Sequence, residues 1–142
     1  MRSWEEGAFA LVLTVVLGVG LWMFTGDSLG ADPSGTSVPI SFDASAAARG
    51  ETMAASSGCL ACHTIDGTTG TGPTWKGLAG ASRPLTTGDS VVADDAYLFS
   101  SVIDPMAQVV AGFEPVMPTT YSDTLTEDDI NDLVEYMKSL GR

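Results

Sequence analysis

The chain has 142 residues, 18 acidic against 6 basic, and a net charge of −12, with two cysteines and one histidine. That acidity excludes nucleic acid as a partner, because phosphates require a basic footprint, and two cysteines so close together exclude a disulfide framework. The length suits one small domain with an appended segment.

From Gly7 to Gly26 twenty residues run without a charge, rich in Ala, Leu, Val and Phe, with Trp4 and Trp22 near the ends. At ~1.5 Å rise per residue such a helix crosses the ~30 Å hydrocarbon layer, and indoles suit its interfaces. The pattern predicts a single-pass transmembrane anchor with its short flank over residues 1–26, residues 8–26 lying in lipid. The competing reading is a cleaved secretory signal ending at Ser28-Leu29-Gly30, although signal cores usually run only about 7 to 15 residues. Arg2 lies on one flank, and no Lys or Arg occurs from Asp27 to Ala48 on the other. The positive-inside rule therefore places the remainder on the periplasmic, extracytoplasmic side of the cytoplasmic (inner) membrane. Residues 27–42, rich in Ser, Gly, Thr and Pro without a period, are expected as a flexible linker. Residues 43–142 form the folded domain.

A first helix is expected from Asp43, a carboxylate suited to capping, to Ser57, with Gly58 as its terminator. Next comes Cys59-Leu60-Ala61-Cys62-His63. Two thiols three apart followed at once by a histidine are the attachment pattern of a c-type haem: each thiol can add across one vinyl group, and the histidine is then held beneath the ring. A thioredoxin-like motif would need a strand before it and a helix after it, whereas the preceding residues read as an alanine-rich helix. A zinc site would need four ligands, and the chain offers three Cys and His in total. A disulfide across so short a loop would stabilise little.

The stretch from Thr64 to Asp89 is rich in glycine and contains Pro73 and Pro84, so it reads as a long loop that needs an internal object to pack on. A second helix is expected over Asp94 to Ile103, capped by Asp94 and stopped at Asp104-Pro105, with Tyr97, Leu98 and Val102 inward. In the third, Thr126 and Asp129 resemble a capping box, and Ile130, Leu133, Val134, Met137 and Leu140 recur at helical spacing as a core face. Glu127, Asp128, Asp132 and Glu135 are expected on a solvated face.

His63 is the sole histidine, so a second protein ligand to iron would come from methionine. Met117 lies between Pro115 and Pro118, which forbid regular structure and stiffen the segment, and such a presentation suits a ligand pressed onto a metal. Met106 is the fallback. The other ring nitrogen of His63 should meet a backbone carbonyl near Gly72-Pro73.

Taken together, these pieces resemble a small monohaem class I cytochrome c. Asp94-Asp95-Ala96-Tyr97-Leu98, Asp104-Pro105 and Val109-Val110-Ala111-Gly112-Phe113-Glu114-Pro115-Val116-Met117-Pro118 are similar to the cytochrome c domain appended to subunit II of haem-copper oxidases. The resemblance implies an all-α fold of a few helices and long loops around one covalent haem c. It also implies thioethers at Cys59 and Cys62, axial ligands at His63 and Met117, Pro73 offering its carbonyl to the histidine, Trp75 packing near the haem carboxylates, and Gly50 crossing Tyr136. No cupredoxin domain accompanies it here. By the same resemblance the chain is an electron-transfer protein and not itself an enzyme. It would be tethered to the membrane and pass electrons between donor and acceptor proteins of a respiratory or photosynthetic chain. The alternative is a fixed subunit of a larger assembly such as alternative complex III or a terminal oxidase.

Overall fold

The computed structural model describes residues 40–141. The expected anchor and most of the expected linker lie outside the described residues. Among the described residues no helix is long and apolar enough to cross a membrane.

Helix α1 spans Ala44–Ser56 and begins where expected, because the Asp43 carboxylate accepts from the amides of Ser45 and Ala46. Gly58 follows with φ +74°, and a single 3₁₀ turn, Cys59–Ala61, carries the first cysteine. Helix α2, Asp95–Ile103, is capped by Asp94, which accepts from the Tyr97 amide at 2.8 Å. Tyr97, Leu98 and Val102 are buried, as their spacing requires. A four-residue helix α3, Tyr121–Thr124, was too short to register as a period in the sequence. Helix α4, Glu127–Ser139, opens with the complete Thr126/Asp129 capping box. It buries Ile130, Leu133, Val134, Tyr136 and Met137.

The largest packing surface is the crossing of α1 on α4. It is close because Gly50 has no side chain: a Cβ there would collide with the Asp132 carbonyl and come within 2.9 Å of the Tyr136 Cβ. Asp132 and Glu135, expected on a solvated face, instead fasten this crossing. Asp132 accepts two bonds from the Arg49 guanidinium, each 2.7 Å. Glu135 accepts from the Asp43 amide at 2.6 Å and from Lys138 at 2.7 Å, and Lys138 also reaches Asp95 of α2 at 3.0 Å. The helix period shows which face is polar, but only the neighbouring helices decide which polar residues find partners.

The all-α expectation needs one correction. Strand β1, Ser82–Pro84, pairs antiparallel with β2, Ser90–Val92, in the register Arg83↔Val91. Beyond it, Leu85 forms an isolated antiparallel bridge to Val110. Three-residue strands are too short to display alternation, so β1 was hidden in the end of the expected loop and β2 in the residues just after it.

Candidate functional site

Between the helices and the loops lies a cavity of about 210 Å³, walled by Leu98, Val102, Leu133 and Met137 from the helices and by Phe113 and Val109 from the loop side. Cys59, Cys62, His63, Pro73, Trp75 and Met117, the six site residues read from the sequence, all line it.

The chain reaches this arrangement through a short set of backbone bonds. After the 3₁₀ turn the His63 amide donates to the Cys59 carbonyl at 3.0 Å, which closes a further turn of the backbone from the first cysteine to the histidine. The loop then returns: Gly72 donates to the Cys62 carbonyl at 3.0 Å and Trp75 to the Thr64 carbonyl at 2.8 Å. This return puts Pro73 beside His63, whose Nδ1 lies 2.8 Å from the Pro73 carbonyl oxygen. A carbonyl only accepts, so Nδ1 carries the proton and Nε2 is left as the nitrogen with a free lone pair. Burial pushes the imidazole below its ordinary value, against the smaller opposing effect of the Pro73 carbonyl, and so keeps it neutral.

Two packing contacts fix the ring plane. Trp75 stacks on His63 with centroids 5.3 Å apart and planes 25° from parallel, and Tyr136 meets Trp75 edge-on at 6.1 Å. Gly72 makes the approach feasible, since a Cβ there would sit 2.6 Å from His63 Cε1. Cys59 is half-buried and Cys62 exposed. Burial raises the Cys59 thiol above its ordinary value and keeps it protonated.

The methionines divide in a way the sequence did not foresee. Met106, Met117 and Met137 all line the cavity, while Met53 packs against the core instead. Met106 is 39% exposed and Met137 is buried within α4. Met117 is half-buried in the irregular segment between two prolines.

One lining residue escaped the sequence reading as a site residue. Arg83 of β1 lines the cavity, and its buried Nε has no hydrogen-bond partner. No local motif marks it; only the hairpin brings it there.

These residues fit a covalently attached haem. Two reachable thiols, one oriented neutral imidazole with a free nitrogen, an apolar wall and a half-buried arginine whose Nε has no partner are what such a group would engage. No curated protein matches the chain. A family model described as Cytochrome c matches residues 47–141, from the first turn of α1 to the end of α4. The chain therefore belongs to the cytochrome c family, whose domains carry covalently bound haem c and transfer electrons.

Proposed function

We propose that this chain is a one-electron carrier with a single haem c held between His63 and Met117, tethered by residues 8–26 to the outer face of the cytoplasmic membrane. The observation that carries the reading is the His63 Nδ1 contact with the Pro73 carbonyl at 2.8 Å, which commits Nε2 to the cavity's guest.

Bound haem would supply a one-electron iron couple, and ligation by a thioether together with an imidazole would favour the ferrous state. The chain's own residues do the rest. Cys59 and Cys62 would attach the ring through thioethers. The Pro73 carbonyl holds the proton on Nδ1 and orients the imidazole, while Trp75 restrains its plane. Leu98, Val102, Leu133 and Met137 keep water from that face, which lowers the local dielectric. Met117 is preferred over Met106 because Pro115 and Pro118 stiffen its segment and it is the less exposed of the two. With both His63 and Met117 as ligands, substrates would be kept from the iron.

The partners would be donor and acceptor proteins of a respiratory or photosynthetic chain. Family members often dock through lysines, but few cations serve that purpose here: Lys138 is engaged by Asp95 and Glu135, and its side chain is 11% exposed. A basic or apolar partner surface suits this chain better.

Replacing Met117 by Ala should abolish the thioether charge-transfer band of the ferric protein and open the ferrous iron to carbon monoxide, while Met106→Ala should leave both unchanged. The reverse result would transfer the ligand role to Met106. Gentle solubilisation of native membranes, followed by a native gel stained for haem, tests the tether. Migration alone with the N-terminal peptide present supports a tethered shuttle. Migration within a large complex favours the fixed subunit, and a soluble product lacking residues 1–30 overturns the anchor.

A further inference from the structure

Met117 sits in a segment with few ties to the rest of the domain. Among the described residues the hydrogen bonds made from Gly112 to Leu125 are local, such as Val116 to Glu114, Ser122 to Thr119 and Leu125 to Tyr121, with one exception. The Tyr121 hydroxyl donates to the Ser57 carbonyl at 3.2 Å, across 64 positions of the chain. On the other side of Met117 the last long-range bond runs from the Ala111 amide to the Pro84 carbonyl at 2.8 Å. The segment is thus fastened before the methionine by Ala111 and after it by Tyr121.

Both ends of the Tyr121 bond have a reason to form it. Ser57 is the C-cap of α1, and its carbonyl lies beyond the last intrahelical bonds, so its partner must come from elsewhere. Gly58 and Cys59 follow directly, which puts the bond at the root of the turn that carries the thiols. Tyr121 opens α3, a single turn with no side-chain cap, and one isolated turn does not hold itself. Its ring is half-buried, packs against the core and lines the same cavity as Cys59 and Met117. Burial, ahead of the neighbouring Cys59 thiol, pushes the phenol above its ordinary value of 10.0, so the hydroxyl keeps its proton and stays a donor.

Resting on the assignment of Met117 above, we infer that Tyr121 is a positioning residue that fastens the methionine segment to the cysteine turn through the Ser57 carbonyl. A thioether favours ferrous iron, so a methionine that stays seated when the iron is ferric must be held there by its surroundings. The Tyr121 bond holds it against the turn whose cysteines would hold the ring. Ligand and ring would then keep one spacing through both oxidation states, which limits rearrangement at each electron transfer.

The test uses holoprotein, with imidazole as the ligand that competes with Met117 for ferric iron. Y121F keeps the ring and loses the donor, so imidazole should bind about fivefold more tightly, the factor expected of one neutral hydrogen bond. Thr126→Ala loosens α4 away from the cavity and should leave imidazole affinity within about twofold of wild type. With no methionine left to position, adding Y121F to Met117→Ala should also change that affinity by less than about twofold. A Y121F affinity within about twofold of wild type overturns the proposal. So does an equal gain in Thr126→Ala, which would report general loosening, or a gain that persists in the Met117→Ala background, which would mean that the phenol does not act through Met117. Should Y121F fail to accumulate, Y121L decides by the same limits. Met117→Ala by itself separates the two readings. If it keeps the thioether band, the ligand assignment falls; if it loses the band while Y121F leaves imidazole affinity unchanged, only the role of Tyr121 falls.

Discussion

The α1–α4 crossing and the loop wall opposite it are held by different forces. At the crossing, Ala54, Ile130, Leu133 and Val134 form a dry core, Gly50 lets the backbones touch, and Arg49, Lys138 and Glu135 clamp the rim. Outside α2, the loop wall from Thr64 to Met117 adds Trp75, Leu78, Ala79, Leu85 and Ala93 to the buried residues, but no helix pair packs along it. It is held by single backbone bonds and faces a cavity. The difference teaches that stability and chemistry are weighted differently in the two regions: damage at the crossing costs mainly stability and reaches the cavity only through Leu133, Met137 and the Tyr136–Trp75 contact, whereas changes beside His63 act mainly on the site.

The most damaging test of that division is Gly50→Leu. Its side chain would be driven into the Asp132 carbonyl and Tyr136. Denaturant unfolding of the holoprotein should show a loss of about 3 kcal/mol or more, at the upper end of overpacking costs, while the visible spectrum of the folded fraction changes only slightly, through the Tyr136–Trp75 contact. Leu133→Ala is next. The residue is 1% exposed, and the substitution should cost about 3 kcal/mol by cavity creation. Because Leu133 also lines the haem cavity, a small spectral change should accompany it.

Gly72→Ala inverts the pattern. The added methyl meets the His63 ring, so the expected result is an altered haem spectrum and potential with about 1 kcal/mol of lost stability. Were Gly72→Ala to cost as much stability as Gly50→Leu, the separation of the two regions would not hold.

Thr126→Ala removes half of the capping box and should cost about 1 kcal/mol with no spectral effect. Its signature is also in pH. Bonds from Thr126, the backbone amide foremost, hold the Asp129 carboxyl below its ordinary value of 3.8. A folded-state value depressed in this way contributes stability that is complete above the unfolded value and is lost as pH falls through the folded one. Thr126→Ala keeps that amide and loses only the hydroxyl's share, so acid unfolding should be slightly less steep than in wild type. The smallest effect is expected of Arg49→Ala. Arg49 is mostly exposed in its pair with Asp132, so any loss in thermal unfolding should shrink further on adding salt.

Much of the crossing was legible in the sequence. Asp43, Asp94 and Thr126 announced their helices, and the period of Ile130, Leu133, Val134 and Met137 announced a core face, because caps and periodicity act over a few residues. The resemblance supplied Gly50 against Tyr136 and Pro73 against His63, and both contacts are present. The loop wall was less legible. Its hairpin is only three residues a strand, and its glycines say that the chain turns without saying where it returns.

By itself the sequence determined the attachment chemistry: thiols three apart with an adjacent histidine are a covalent spacing that no fold needs to supply. It also determined where the helices begin and which faces are apolar, since these follow from local hydrogen bonding and side-chain direction. Only the tertiary structure decided that three methionines converge on one cavity, that Asp132 and Glu135 are clamps rather than solvent-facing charges, and that Arg83 enters the site. Those outcomes depend on contacts between residues far apart in the chain. Their geometry is set when the helices cross and the loop closes, and no short stretch of sequence contains it.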